Sequence, residues 1–220
     1  MTEQDATPKR TTFRHGDLRR ALLEAGLDLA REGGPDAVIL REATRRVGVV
    51  PNAAYRHYAS REALLQAVRQ ACVAALARSI EKELATIDPN APLVSRAKAH
   101  LRGVGMGYIK FALLEPGLLR TAFAIPDGLK GQPVPEKSGD SGKTPFQLLS
   151  DAIDLMLEAG LLPKSKRLGA EFLAWSSVHG LSMLMIDGPL RSFSPAQVEA
   201  VGQRLIDMVE RGLTEPTPGP

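Results

Sequence analysis

Residues 40–61 read LREATRRVGVVPNAAYRHYASR. Five arginines, Arg41, Arg45, Arg46, Arg56 and Arg61, stand there against a single acid, Glu42. A short helical segment from Arg41 to Val47 stops at Gly48, a residue free to take the left-handed conformation that ends helices. Pro51 suits a first helical turn, where the missing N–H has no intrahelical partner to lose. The spacing then predicts a second short helix over Asn52 to Tyr58. Two short helices joined by a tight glycine turn form a helix-turn-helix unit. Its second helix carries Asn52, Ala53 and Ala54, small enough to let it approach base edges in a major groove. Tyr55 and His57 are placed to donate to phosphates, and Arg56 adds a long basic arm. Singly, each feature has an ordinary reading: arginine-rich helix faces are usually solvated, and Ala53 and Ala54 suit simple packing. The combination of short, basic and turn-punctuated is what points to nucleic acid.

On the N-terminal side, Leu18, Leu22, Ala25 and Leu29 make one face of a helix from about Gly16, stopped by Gly33-Gly34-Pro35. On the other side, Ser60 is a good N-cap for a long helix. Its apolar face is Ala63, Leu64, Ala67, Val68, Ala71 and Ala75, and it ends before Asp88-Pro89. Further helices are expected over about 93–114, 146–160, 165–187 and 195–212, the first broken by Glu115-Pro116-Gly117. Residues 1–13 read as a disordered arm, 126–145 as a mobile loop rich in Gly, Pro, Lys and Ser, and 214–220 as a disordered tail. No segment has convincing strand alternation. The expected fold is all-α: an N-terminal three-helix head, a long connecting helix, and a C-terminal helical bundle.

Composition agrees with that class. Of 220 residues, 44% are apolar but only 5% aromatic, a mix of alanine and leucine that favours helices over sheets. A net charge of +3 and a pI near 9.1 permit a nucleic-acid partner without demanding one. Cys72 is the one cysteine, so no intrachain disulfide forms; with polar residues 1–13 and no run of ~20 apolar residues, the expected location is the cytoplasm, away from any membrane. His15, His57, His100, His179 and Cys72 show no metal-ligand spacing, and no nucleophile elbow or paired acid and base is present. Neither a metal nor a cofactor is expected. Catalysis is the rival reading from another class. A helical dimer that binds small molecules without DNA is a second.

The stretch from about Arg14 to Leu65 resembles the TetR family of bacterial regulators. The resemblance centres on Arg41-Glu42, Arg45-Arg46-Val47-Gly48-Val49 and Tyr55-Arg56-His57-Tyr58, followed by Ser60-Arg61-Glu62-Ala63-Leu64. It implies a DNA-binding domain over 14–62, with Arg41 in the helix-turn-helix. Tyr55, His57 and Arg61 would contact phosphates, while Asn52, Ala53 and Arg56 would face bases. The chain departs from the family at Ile39 and Val50, where Ser or Thr is usual at a helix cap or turn.

Further on, Ala174-Trp175-Ser176-Ser177-Val178-His179-Gly180-Leu181 and Asp187-Gly188-Pro189-Leu190 resemble a subgroup with a Trp…His-Gly signature. The resemblance implies that 63–213 binds a ligand and forms a homodimer through its last two helices. The final helix has a matching apolar stripe, Val198, Val201, Leu205, Met208 and Val209, though packing within the chain is the alternative. A two-fold dimer suits a palindromic operator on double-stranded DNA. Met106, Tyr108, Phe111, Phe123, Trp175, His179 and Met183 are candidate walls for a small-molecule pocket, with Phe146, Met156 and Met185 nearby in composition. Gly103, Gly105 and Gly107 would leave room beside that wall. The implied function is transcription regulation, in the form of a repressor released by an effector.

Overall fold

The computed structural model describes residues 15–124 and 135–215. The expected arm at 1–13, most of the loop's first half and most of the tail lie outside those residues. Among the described residues there are nine α-helices and no strand.

The head is built first. In α1 (His15–Gly33), Leu18, Leu22, Ala25 and Leu29 are buried, the stripe that the sequence spacing marks out. A 3-10 turn at Gly34–Ala37 leads into α2 (Leu40–Val47). Gly48 closes α2 at φ 75°, ψ 31°, where a Cβ would be strained. Helix α3 is only Pro51–Ala54, shorter than expected. The chain turns at Tyr55–His57, with the N–H groups of His57 and Tyr58 both donating to the Ala54 carbonyl. That turn lets Tyr58 dive inward: it is 3% exposed, its hydroxyl donates to the Arg19 carbonyl, and the Arg19 guanidinium lies 5.2 Å from its ring centre.

Ser60 caps α4 (Arg61–Leu84), its hydroxyl accepting from the Ala63 N–H. Helix α4 runs out of the head and along α5 (Leu93–Leu114). The two approach closely because Gly103 and Gly107 face α4: a Cβ on Gly107 would sit 2.7 Å from the Ile80 Cα, and one on Gly103 3.0 Å from Leu84. Gly105 does the same on another side, against Ile206 at 2.8 Å. The three glycines therefore admit neighbouring helices. They do not leave room for a ligand, as the sequence alone suggested.

Helix α6 (Pro116–Ala122) has no counterpart in the sequence reading. It is followed by α7 (Pro145–Glu158), α8 (Ala170–Ile186) and α9 (Pro195–Thr214). Both α7 and α9 open on a capping box, Thr144 with Gln147 and Ser194 with Gln197. Helix α5 is the axis of the body, packed by α4, α7, α8 and α9. Helix α8 begins later than expected because residues 164–166 form a 3-10 turn and Gly169 is left-handed. The second half of the stretch read as a mobile loop is tied down: the N–H groups of Asp140 and Ser141, with the Ser141 hydroxyl, donate to the Glu81 carboxylate on α4.

Candidate functional site

The helix-turn-helix surface is built from residues with differing degrees of freedom. Asn52, Arg56 and Arg41 are exposed, as is Tyr55 at 54%. Arg41 and Arg56 make no ion pair among the described residues. Ala53 and His57 are half-buried, and Ala54 is fully buried, so of the small residues in α3 it is Ala54 that packs. Ile39 and Val50 occupy the caps of α2 and α3 with no side-chain hydrogen bond, and both are exposed, at 47% and 69%.

The other arginines are committed. Arg45 pairs with Glu42 at 2.6 Å, and hydrogen bonds from Arg45, supported by Arg46, hold the Glu42 carboxyl down at about 2. Arg46 reaches across to Glu32 on α1, also at 2.6 Å, and so straps α2 to α1. Arg61 is not a free phosphate ligand: its Nε donates to the Val38 carbonyl at 3.0 Å and an Nη to that of Pro35 at 3.1 Å. It clamps the turn between α1 and α2 to the start of α4. The local excess of arginine thus divides into exposed Arg41 and Arg56, unpaired among the described residues, exposed Arg45 paired within α2, and Arg46 and Arg61, which tie elements of the head together.

In the body, part of the expected pocket set does converge. The Tyr108 hydroxyl lies 2.6 Å from His179 Nδ1. Phe123 stands 4.9 Å from His179 and 5.7 Å from Trp175, ring centre to ring centre, and Phe146 joins through Trp175 at 6.4 Å. Phe172, which the sequence reading passed over, extends the cluster against Phe146 at 6.0 Å; it sits three residues before Trp175 on α8, the helical spacing that could have flagged it. Burial pushes the Tyr108 phenol up, against a hydrogen bond from Trp175, and lowers His179 below 6.5, so the imidazole is neutral at pH 7. Met106 is apart from this cluster: its sulfur lies toward α9, 3.6 Å from where a Gly202 Cβ would stand. Phe111 is buried in the core and joins none of these ring contacts, while Met183 is half-buried one turn beyond His179.

An open groove of about 720 Å³ lies elsewhere, between the end of α4, the start of α5 and α7, lined by Arg78, Lys82, His100 and Leu155 among others. It contains none of the expected pocket residues. Cys72 is buried and its thiol is pushed up to about 12, so it is protonated and inert at neutral pH. Among the described residues, no His, Cys, Asp and Glu are grouped to hold a metal, and no helix is long and apolar enough to cross a membrane.

Helix α6 joins the two sites. Its Gly117 lies so close to the last turn of α1 that a Cβ would be 2.2 Å from the Ala30 carbonyl oxygen. Glu115, just before it, pairs with Arg31 of α1 at 3.2 Å. The buried Arg69 of α4 donates to the Ala122 carbonyl, and Arg120 forks onto Asp187 at the end of α8, nearest at 2.6 Å. Phe123 then follows directly as the residue that enters the aromatic cluster.

On α9, Val198, Gly202, Ile206 and Leu213 are buried within the chain. Val198, expected at a dimer interface, is therefore a core residue: the inward face is rotated from the stripe read off the sequence. Val201 and Leu205 are half-buried and Met208 is 53% exposed. Helix α8 presents Leu173 at 64% and Leu184 at 46%, with Gly180 open between them.

The geometry has counterparts. A model of bacterial regulatory proteins of the tetR family matches residues 22–68, and one of the tetracyclin repressor-like C-terminal domain matches residues 101–209. No curated protein matches the chain significantly. A protein of unknown function from Rhodococcus sp. RHA1 shares the fold at a TM-score of 0.72 with 24% identity, over 94% of this chain and 100% of that one. A TetR-family transcriptional regulator from Pectobacterium atrosepticum gives 0.62 and 16%, again over 94% and 100%. A TetR variant from Acinetobacter baumannii AYE, in complex with minocycline, gives 0.58 and 16% over 91% and 97%. With both of its halves matched and its helix-turn-helix intact, the chain belongs to the TetR family of DNA-binding transcription regulators.

Proposed function

We propose that the chain is a homodimeric repressor that reads a palindromic operator and is released from it by a small molecule. The observation that carries the reading is the exposure of Asn52, Tyr55, Arg56 and Arg41 on a head whose Arg46 and Arg61 hold its shape. Asn52 and Ala53 meet base edges, with Arg56 alongside; Tyr55 and His57 donate to phosphates. Arg61 acts by positioning the head.

The effector site is the Tyr108, Phe123, Trp175 and His179 cluster. Its rings offer an apolar surface, and its one polar centre is the neutral Tyr108–His179 pair. That a structural neighbour holds minocycline is consistent with such use of the domain. A ligand displacing Phe123 moves α6, and α6 is wedged against α1, so the head's orientation responds. A coupling of ~1–3 kcal/mol gives a 5–150-fold change in operator affinity. The dimer seam is the outer face of α8, Leu173, Gly180 and Leu184, joined by Met208, Val201 and Leu205 of α9. An exposed apolar helix face of this extent calls for a partner.

The test is a mobility shift on the adjacent upstream DNA. Tyr55→Ala or His57→Ala should weaken binding to all sequences alike and flatten its salt dependence, while Asn52→Ala should change sequence preference. Binding indifferent to both Tyr55→Ala and Asn52→Ala ends the reading. Trp175 is the chain's one tryptophan, so its fluorescence reports ligands entering the cluster directly.

A further inference from the structure

Val50 is the most exposed large apolar side chain of the head, at 69%, in the turn that presents α3. It stands between half-buried Val49 and exposed Pro51, and the exposed cations Arg41 and Arg56 belong to the same helix-turn-helix unit. Such a surface faces a polyanion. Phosphates offer an isopropyl group nothing, the C–H faces of deoxyribose are the same at every base, and most base edges in the major groove present hydrogen-bond donors and acceptors. The apolar feature that the groove does present is the C5-methyl group of thymine. The Val50 side chain makes no capping hydrogen bond; the position serves the backbone of α3 only through its carbonyl, which accepts from the Ala53 N–H, so the isopropyl group is left to apolar contact.

We infer that Val50 is a specificity-determining residue whose isopropyl group packs on the C5-methyl of a thymine in each operator half-site. The inference rests on the proposed operator reading and adds a base to it. Each half-site then contains a T·A pair that is read by its methyl group, and 5-methylcytosine substitutes for that thymine better than cytosine does.

The experiment starts from a random-sequence duplex pool, enriched on the full-length protein to define the bound motif. Each thymine of the motif is then replaced by deoxyuridine, which keeps the base pair and removes only the methyl. One thymine per half-site should show a Kd about fourfold higher for one replacement and about 15-fold higher for both, the effect of about 0.8 kcal/mol per lost methyl contact. The same replacements should leave Val50→Ala unchanged, since that variant has already lost the contact. Val50 is exposed, so the variant folds as the parent does, which a melting curve verifies. A motif whose every thymine tolerates deoxyuridine overturns the inference alone, as does an unaltered methyl penalty in Val50→Ala. A pool with no enriched sequence overturns the operator reading, and this inference with it.

Discussion

Replacing Gly117 by alanine asks whether the head and the body are in register through α6. A Cβ there would stand 2.2 Å from the Ala30 carbonyl oxygen and 2.6 Å from that of Arg31. Ordinary carbon–oxygen approach is about 3.3 Å, so α6 must retreat from α1 by about 1 Å. Neither obstacle is a side chain that can turn aside; both are backbone atoms in the last turns of a helix that other contacts hold. Overpacking of this kind costs up to about 3 kcal/mol, against which alanine returns about 1 kcal/mol of helix propensity over glycine. The net loss is about 2 kcal/mol. For a chain of this length that lowers Tm by about 4–8 °C, measurable by circular dichroism. Gly212 on α9 is the control, because a Cβ there meets nothing within 4 Å. Gly212→Ala should raise Tm by about 2–4 °C through propensity alone. If Gly117→Ala melts at or above the parent, α6 is not wedged on α1 and any route from the proposed effector site to the head must run elsewhere.

Two further outcomes are expected. Gly180 stands open between Leu173 and Leu184, so Gly180→Arg should place a charge in the α8 seam and turn a sedimenting dimer into a monomer; a parent that is already monomeric, or a variant that stays dimeric, moves the seam off α8. Burial lowers His179 below 6.5, so on acidification the unfolded chain binds its proton before the folded one does. Folding stability should therefore fall as the pH drops below the ordinary histidine range, and His179→Gln, which keeps a polar partner for Tyr108 but does not titrate, should flatten that fall. Parallel denaturation profiles for parent and variant would remove His179 as the cause.

Elements governed by local chemistry were legible before any coordinates. The Ser60 cap, the Gly48 stop and the α1 stripe of Leu18, Leu22, Ala25 and Leu29 each follow from interactions within a few residues, and each stands where the spacing puts it. Long-range packing was not legible in the same way. Gly103, Gly105 and Gly107 look like vacancies in one dimension, because the sequence does not say that Leu84, Ile206 and Ile80 arrive to fill them. The stripe on α9 has two edges, and only contact with α5 and α8 selects the edge containing Val198 as the inner one. Arg61 illustrates the same limit for function: the family resemblance implied a phosphate contact, but the carbonyls of Pro35 and Val38 converge on it from a turn more than twenty residues earlier.

Helix α6 is the sharpest case, and the reason bears on how the molecule works. Seven residues are too few for periodicity to register, and Pro116-Gly117 reads as a break because proline and glycine usually are one. In place, the proline opens the helix at its first turn and the glycine lets that turn touch α1. So short a helix has little stability of its own, since few hydrogen bonds offset its nucleation. Its position is set by what it touches: Arg31 through Glu115, Arg69 through Ala122, Asp187 through Arg120, and the ring cluster through Phe123. An element held chiefly by its neighbours moves when one of them moves. Helix α4, with its long buried face against α5, would have to break that packing to tilt by itself. The low intrinsic stability that hides α6 from the sequence is therefore the property that, in the proposed mechanism, suits it to carry a displacement at Phe123 to the base of the head.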